Sequence, residues 1–267
     1  MVHRFEWRGT FYFLAALAIV QAILILAVVR DHPGPRANVQ GFQDGNWPRL
    51  FRDLKVVMKN PHSWFNGIYA GCINAPMAAF GALWGVSFMS EVYGLKAEAA
   101  AASISILFVG CMLGSIFYGW ISDFLWRRKP PMIMSGIFSL AIMLTILYIG
   151  NMPLFLANTL LFTLGFMGQG PVIAYAAGRE VNPSAAAGIS SGLINTLLIG
   201  MGAFSQAVVG WLLEQHWTGT MKGNEPIYTA SDFRFAMNIL IVLLVIGIIS
   251  SFLIRETHCR QIEDSGR

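Results

Sequence analysis

The feature that most constrains this chain is a series of long segments without a charged side chain. Residues 64–90, 99–122, 131–178, 181–213 and 235–254 contain no Asp, Glu, Lys or Arg. A hydrocarbon core ~30 Å thick is crossed by about 20 apolar residues in a helix. Each segment is long enough for this, so the sequence predicts an all-α integral membrane protein. A transmembrane β-barrel would instead show short segments of alternating hydrophobicity.

Composition agrees with that class. Of the 267 residues, 55% are hydrophobic and only 12% are charged, which is about half the charge content of soluble domains. The first apolar segment is too long, and too richly flanked by Arg, to be a cleaved signal peptide. Seven transmembrane helices are therefore predicted, near residues 9–29, 64–90, 99–120, 131–150, 154–177, 184–213 and 233–254.

Small residues and helix breakers predict how these spans pack. Pro76 and the run GQGP at 168–171 are expected to bend or loosen their helices, with neighbouring helices or waters satisfying the freed backbone groups. Pairs of small residues four positions apart allow close helix contact in lipid. Three pairs are present: Gly110 with Gly114, Ser115 with Gly119, and Gly188 with Gly192.

Several classes of protein are disfavoured by what the spans lack. Cys72 and Cys111 lie in apolar runs, Cys259 lies in the tail, and all five His lie outside the predicted spans. This pattern predicts no disulfide framework, metal site, haem or other cofactor. A retinal protein needs a membrane-embedded Lys, which the last span lacks. A hydrolase needs a nucleophile with a base or metal ligands nearby, and none is visible, so an enzyme is not expected.

Basic residues indicate the orientation. Most Lys and Arg fall in segments 30–59, 127–129, 179 and 255–267, whereas the other side receives Arg4, Arg8, Lys96, Lys222 and Arg234. The richer side is predicted to be cytoplasmic, which places the N-terminus outside and the C-terminus inside. The net charge of +4 follows from this sorting, so no nucleic-acid partner is expected.

The segment between the first two spans has two parts. Its front half is rich in Pro, Gly and Asn and predicts a loop. From Pro48 to Asn60, apolar residues recur at helical spacing among Arg and Lys. This pattern predicts a basic amphipathic helix on the membrane surface; the alternative is a simple solvated connector.

The stretch GWISDFLWRR, residues 119–128, predicts a tight cytoplasmic turn between the third and fourth spans. Asp123 at a helix end can pair with Arg of the same or an adjacent loop. Gly119 is expected to let the helices approach closely. The plain alternative is a positive-inside anchor in which Asp123 only balances charge.

This stretch resembles the signature G-x-x-x-D-[RK]-x-G-[RK]-[RK] of the major facilitator family of transporters. Gly119, Asp123, Arg127 and Arg128 match it, while Phe124 replaces the first basic residue and Trp126 the second Gly. The resemblance assigns this loop to a cytoplasmic gate. The run GRE at 178–180 resembles the charged corner that pairs with the signature loop, which adds Arg179 and Glu180 to the gate.

The resemblance extends along the chain and implies its domain organisation. WRGTFYFLAALAIVQAILILAVVRDHP is similar to the sixth helix of the family, and the basic linker is similar to the connection between its two halves. The expected divisions are a helix resembling helix six at 1–29, a cytoplasmic linker at 30–62, the C-terminal six-helix bundle at 63–254 and a cytoplasmic tail at 255–267. Helices one to five are expected to be missing, so the chain alone is not expected to transport.

The resemblance also implies which spans line a substrate path. Their candidate polar residues are Asn66, Tyr69, Asn74, Gln169 and Asn195. Hydrogen bonding between helices is the alternative role for each of them, because buried amides in lipid need partners. A proton-coupling carboxylate or a cation that holds an acidic substrate is not found in these spans, so either would belong to the absent half.

The expected function is alternating-access transport of a small polar solute across a bacterial inner membrane. GALWGVSFMSEVYGL, with the runs around 120–130 and 176–198, resembles bacterial carriers similar to the lysosomal dipeptide transporter branch and, more distantly, organic-acid and sugar-phosphate carriers. Small peptides or amino acids therefore rank first and organic anions second. The expected partners are the lipid bilayer, the substrate, and an N-terminal half-transporter or a second copy of the chain. The alternative is a non-transporting scaffold or the remnant of a truncated transporter gene.

Overall fold

The computed structural model describes residues 7–29, 47–149, 152–217, 219, 221–222, 225–226 and 228–261. The predicted loop at 30–46 lies outside these residues. The regular secondary structure of the described part is helical apart from one short pair of antiparallel strands. Its helices are α1 (Trp7–Val28), α2 (Trp47–Lys59), α3 (Pro61–Ala75), a π-helical segment (Pro76–Trp84), α4 (Gly85–Tyr93), α5 (Ala97–Phe124), α6 (Lys129–Tyr148), α7 (Leu154–Met167), α8 (Pro171–Glu180), a 3₁₀ turn (Ser184–Ala186), α9 (Ala187–His216) and α10 (Ala230–Leu253), and the hairpin strands are β1 (Met221–Lys222) and β2 (Glu225–Pro226).

Seven helices of this part of the chain are long and apolar enough to cross a membrane, which confirms the predicted all-α membrane class. Two of the spans are composite. The second runs from Pro61 to Tyr93 through α3, the π-helical segment and α4, and the fifth runs from Leu154 to Glu180 through α7 and α8.

The chain divides into two compact units, Met1–Trp47 and Pro48–Arg267. In the first unit, α1 is apolar all round and its window Phe11–Val28 has no buried residue, as suits a helix that faces lipid. In the second unit, α3 lies at the centre of a six-span bundle and packs against α9 and α10, while α5 packs on α7 and α6 on α10. Large buried side chains such as Tyr69, Phe80 and Phe88 fill its interior.

Both predicted helix interruptions are present, and neighbouring helices satisfy the backbone groups there. The π-helical segment begins at Pro76, and the Ala78 carbonyl accepts a hydrogen bond of 2.9 Å from Gln206 Nε2 of α9. Between α7 and α8, Ser135 Oγ of α6 donates to the Met167 carbonyl at 2.6 Å and accepts from the Gly170 amide at 3.0 Å. Side chains therefore replace the hydrogen bonds that the helix loses, as an apolar solvent requires.

Close helix contact occurs at α5 and α7. A Cβ added to Gly110 would overlap the Phe162 carbonyl, and one added to Gly165 would overlap the Leu107 carbonyl. Gly114 lies equally close to the α7 backbone at Phe166, so the predicted Gly110–Gly114 pair is confirmed.

The close approach expected at Gly119 is wrong for the described residues, because a Cβ added there would meet no atom of another helix among them within 4 Å. The same holds for Gly188 and Gly192. The α5–α7 contact runs through Gly110, Gly114 and Gly165, and Gly119 lies one turn or more beyond it towards the loop.

We expect Gly110→Ala and Gly165→Ala to destabilise the bundle by about 1–3 kcal/mol, since the added methyl group forces two backbones apart. Gly119→Ala and Gly188→Ala are matched controls and should be neutral or slightly stabilising, because Ala favours helix more than Gly. Thermal unfolding of the detergent-purified protein measures the difference. Equal effects at all four positions would contradict the packing described for α5 and α7.

Candidate functional site

The loop that joins α5 to α6 is a tight turn held by its own backbone. The amides of Leu125, Trp126 and Arg127 donate to the carbonyls of Ile121, Asp123 and Ser122. Trp126 adopts φ = 52°, in the left-handed region that favours glycine. This is the position where the transporter signature carries its second Gly, so the turn keeps that conformation with a Trp in its place.

Arg128 is the centre of an ion-pair cluster at this end of the bundle. Its Nη2 lies 2.6 Å from Glu180 Oε1 at the end of α8, and its Nη1 lies 2.6 Å from Asp123 Oδ1 near the end of α5. Nη1 also donates to Ser122 Oγ at 2.9 Å, and Nε donates to both Glu180 oxygens at 3.2 Å. The guanidinium thus joins the ends of α5 and α8 through several charge-assisted hydrogen bonds.

The two acidic partners of Arg128 differ in exposure. The side chain of Arg128 is 8% exposed and that of Glu180 is 15% exposed, whereas that of Asp123 is 72% exposed. Water therefore screens the Asp123 contact, whose contribution to stability is about 0–1 kcal/mol. The Arg128–Glu180 pair is largely withdrawn from water and dominates the cluster.

Glu256, which follows α10, caps the start of α6. Its carboxylate accepts from the amides of Arg128 at 2.8 Å and Lys129 at 3.0 Å, and from the amides of Thr257 and His258 in its own segment. Lys129 Nζ in turn donates to the Phe252 carbonyl at the end of α10, at 2.8 Å. The start of α6 and the end of α10 thus satisfy each other's terminal backbone groups.

These contacts set the protonation of the cluster. Burial alone would lower the pKa of Arg128, but its hydrogen bonds to Glu180 and Asp123 outweigh burial and raise that pKa, so Arg128 stays cationic. Burial alone would raise the pKa of Glu256, but the four backbone N–H donors, those of Arg128 and Lys129 foremost, hold it below its ordinary value.

A second polar network lies beside the cluster and is centred on buried Asn182. Its Nδ2 donates to Ser63 Oγ and the Gly178 carbonyl, both at 2.8 Å. Asn60, the N-cap of α3, donates to Asn182 Oδ1 at 3.1 Å, and Gln261 of the tail donates to the Asn182 carbonyl at 2.7 Å. The start of α3, the end of α8 and the tail therefore meet at the same end of the bundle as Arg128.

Of the six predicted gate residues, the structure brings three together: Asp123, Arg128 and Glu180. Arg127 is exposed and takes part in the turn through its backbone, with its carbonyl accepting from Ser122 Oγ. Arg179 is also exposed and donates back to the Tyr175 carbonyl within α8, outside the cluster.

Sequence reasoning missed Ser122, Asn182, Glu256 and Thr257. Thr257 Oγ1 donates to Glu180 Oε2 at 2.5 Å. For Glu256 and Thr257, the signal was a charged run, RETH at 255–258, directly after the last span. The spacing of this run does not show that it contacts the α5–α6 loop, because that contact joins residues far apart in the chain.

The five predicted substrate-lining residues fall into two groups. Asn66 and Tyr69 are buried within the bundle. Asn66 Nδ2 bonds the His62 carbonyl, and Tyr69 Oη bonds the Met132 carbonyl, both at 2.8 Å. Tyr69 thereby links α3 to α6, which is the interhelical role stated above as the alternative, whereas the Asn66 bond stays within α3.

The other three residues are more accessible. Asn74 is half-buried, and Asn195 is exposed and accepts from Tyr175 Oη at 2.9 Å. Gln169 is half-buried, with its Oε1 accepting from Ser115 Oγ at 3.0 Å. Tyr175 and Asn195 therefore form an exposed polar pair between α8 and α9.

This arrangement of spans and polar networks defines the class as a polytopic helical membrane protein. A family model described as Major Facilitator Superfamily matches residues 1–207. Because the match covers well over half of the chain, the chain belongs to the major facilitator superfamily. The sequence-based recognition of the family is confirmed.

This chain is similar in sequence to three proteins of known description. The glycerol-3-phosphate transporter of Bacillus subtilis (strain 168) is 26% identical over 234 residues, which cover 80% of this chain and 52% of that protein. The membrane sensor protein UhpC of Escherichia coli (strain K12) is 26% identical over 238 residues, 80% of this chain and 53% of the sensor. UhpC of Salmonella typhimurium (strain LT2) is 30% identical over 175 residues, 62% of this chain and 38% of that protein.

The chain spans about half the length of the first two of these relatives. None of their names refers to a peptide. The expected resemblance to the dipeptide transporter branch is therefore not supported, and neither is the first-ranked peptide or amino-acid substrate.

We expect Arg128→Gln to destabilise the protein by about 3 kcal/mol, because it leaves the carboxylate of Glu180 withdrawn from water without its cation. Arg128→Lys should recover part of this loss, since Lys keeps the charge but not the forked geometry. Arg127→Gln is the matched control and should stay within about 0.5 kcal/mol of wild type. Thermal unfolding in detergent compares the three, and equal losses at Arg127 and Arg128 would contradict the central place of Arg128.

Glu256→Gln should destabilise the protein in a pH-dependent way. The pKa of Glu256 is lower in the folded than in the unfolded chain, so its stabilisation is present above the ordinary Glu pKa of 4.5 and is lost as the pH falls through the folded value. The melting-temperature gap between wild type and variant should be constant near neutral pH and should close in acid. The exposed Glu91→Gln control should show no such gap, and a gap that widens in acid would contradict the capping role.

Proposed function

We propose that this chain forms the C-terminal half of a major facilitator carrier, together with the helix that precedes that half, and moves a small organic anion by alternating access. The observation that carries the proposal is the family match over residues 1–207, combined with a six-span bundle in Pro48–Arg267. In this family, two bundles rock about a site between them. The chain spans about half of its relatives, so the second bundle is proposed to come from an N-terminal half or a second copy.

The substrate class is inferred from the relatives and from charge. The glycerol-3-phosphate transporter is the relative whose name states a substrate, and that substrate is an organic anion, the class that the sequence ranked second. The charge-free segments of this chain supply no cation at mid-membrane depth. The cation that holds the anion is therefore proposed to belong to the partner half, while this half supplies neutral hydrogen-bond donors.

Those donors are proposed to be Asn74 and the Tyr175–Asn195 pair. Because Asn195 Oδ1 accepts from Tyr175 Oη, its Nδ2 group is left to donate to an anionic oxygen. On α9, the described bundle leaves Gly188 and Gly192 uncovered, since a Cβ added at either position meets no atom of another described segment within 4 Å. This surface gives the partner bundle room for close approach.

The Arg128 cluster is proposed to be the cytoplasmic gate, with the N-terminus of the chain outside the membrane and the C-terminus inside. Its two acidic residues are assigned different parts. Glu180, withdrawn from water, holds Arg128 in place, while the exposed Asp123 is the contact that breaks and re-forms during transport.

A contact of about 0–1 kcal/mol changes an equilibrium between inward-facing and outward-facing states up to severalfold. Asp123→Asn should therefore cut turnover and leave substrate affinity nearly unchanged.

A second candidate function is solute sensing without transport, since two of the three relatives are membrane sensor proteins. Such a sensor would still bind the solute at the surface proposed above, but it would not exchange between inward-facing and outward-facing states. The scaffold and gene-remnant alternatives predict neither substrate binding nor transport.

We expect single Cys residues at positions 74 and 195 to react with water-soluble thiol reagents in a variant without native Cys, and substrate to protect them. Asn66→Cys and Tyr69→Cys are the buried controls and should stay unreactive, because both side chains lie inside the bundle. Reactivity is measured by mass shift in membrane vesicles. Inert residues at 74 and 195 would remove the proposed substrate surface.

Reconstitution tests the function itself. The chain is purified in detergent and inserted into liposomes, with and without co-expressed helices one to five of a relative, and uptake of glycerol 3-phosphate and of inorganic phosphate is measured. Saturable uptake only with the partner supports a split carrier, and uptake by the chain alone supports a working assembly of identical copies. Substrate protection of the Asn195→Cys variant without uptake favours the sensor, and neither binding nor uptake overturns the proposal.

A further inference from the structure

Helix α2 has two chemically distinct faces. At the α-helical repeat of 3.6 residues per turn, Leu50, Leu54, Val57 and Met58 share one side of Trp47–Lys59, and the basic side chains share the other. The cations are Arg49, Arg52, Lys55 and Lys59. Such a helix matches a boundary between an apolar and a charged medium.

The bundle covers only part of the apolar face. Val57 is fully buried, and Trp64 Nε1 of α3 donates to the Met58 carbonyl at 2.9 Å, so the C-terminal turn of α2 is fixed to α3. Leu50 and Leu54 each remain 40% exposed, and Phe51 is 61% exposed. The packing inside the protein therefore leaves apolar surface along the length of α2.

The place of α2 in the chain, directly before a membrane-spanning segment, indicates the medium beside that surface. A composite span of 33 residues begins at Pro61, directly after α2. Asn60, between them, caps α3 and bonds the Val181 carbonyl at 2.8 Å, at the end of the bundle that holds Arg128. Because a helix long enough to span the membrane starts there, we place α2 where the bilayer meets water at this end.

We infer that α2 is a docking surface for anionic phospholipid. Its apolar face enters the boundary between headgroups and acyl chains, at a depth of roughly 5–10 Å, and its four cations contact lipid phosphates. The bilayer is the occupant that fits both observations, since it offers apolar surface and negative charge side by side at the depth where α2 lies. This inference does not depend on the transported substrate.

The test uses the full chain with its three native Cys replaced by Ala. A single Cys at Leu54 or at Val56 is spin-labelled; Leu54 reports on the apolar face, and Val56 lies among the cations. Each protein is reconstituted in vesicles of phosphatidylcholine, with or without added phosphatidylglycerol. The ratio of collisions with lipid-soluble oxygen to collisions with a water-soluble nickel complex should be severalfold higher at Leu54 than at Val56, and phosphatidylglycerol should increase the difference.

A charge variant tests the anionic-lipid assignment. Changing all four cations of α2 to Gln should abolish the effect of phosphatidylglycerol. Arg255→Gln with Arg260→Gln, which removes exposed cations from the tail at the same end of the bundle, should leave the effect intact. Native mass spectrometry of the unlabelled wild-type chain provides a measurement that needs no variant, and it should detect more retained phosphatidylglycerol than phosphatidylcholine.

Three outcomes would overturn the inference. A water-accessible label at Leu54 in vesicles with phosphatidylglycerol would show a solvated connector. Equal protection in both lipids, with no preference in the mass spectra, would exclude recognition of the anionic headgroup. Spin–spin broadening at Leu54 that grows with protein density would identify a second copy of the chain as the occupant.

Discussion

Every backbone N–H and C=O group in the hydrocarbon core needs a hydrogen-bond partner inside the protein, because lipid provides none. The rest of this structure depends on that requirement. Continuous helices meet it by themselves. The second and fifth spans are interrupted, at Pro76 and at Gly168–Gly170, and there other helices provide the partners. Gln206 bonds the Ala78 carbonyl, and Ser135 bonds both sides of the α7–α8 break. The interruptions therefore also tie spans together.

The same demand explains why several polar residues of the spans are structural. Tyr69 Oη bonds the Met132 carbonyl of α6, and Asn66 Nδ2 bonds the His62 carbonyl one turn back in α3, because a donor left without a partner in hydrocarbon is costly. Polar groups for a ligand must instead face a surface that the bundle leaves open. Of the residues considered, the Tyr175–Asn195 pair fits this requirement best. Asn195 is exposed and Tyr175 is half-buried, and each still has a hydrogen-bond partner in the other.

Charge is confined to the ends of the bundle, where it can be both paired and partly hydrated. At the Arg128 end, one guanidinium, three carboxylates and the backbone amides at the start of α6 form a continuous network. Its members come from the ends of α5 and α8, the start of α6 and the segment after α10. Substitution of Arg128 removes side-chain contacts to both α5 and α8, and substitution of Glu256 removes contacts to the start of α6, whereas the exposed side chain of Arg127 makes none of these contacts.

How much could be predicted depended on whether a property was local in the chain. The apolar segments determined the membrane class and the spans, and the Pro and Gly residues within them determined the two helix breaks, because burial in lipid and the chemistry of Pro and Gly act residue by residue. The signature loop predicted that Asp123 can pair with an Arg of its own loop, and Arg128 is that residue. This contact was predictable because both residues belong to the one tight turn between α5 and α6. The role of Gly119 was wrong, because a small residue permits close contact without causing it.

Only the tertiary structure decided which charges meet and which amides are buried. Arg128 pairs with Glu180, whereas Arg127 and Arg179 lie outside the ion-pair cluster. This difference depends on how α5, α6 and α8 are rotated about their axes. That Glu256 caps α6 depends on where the end of α10 lies beside it. These orientations are set by the packing of whole helices, of which the backbone contact of α5 with α7 is one example. The periodicity of a single segment does not show which neighbouring helix covers it.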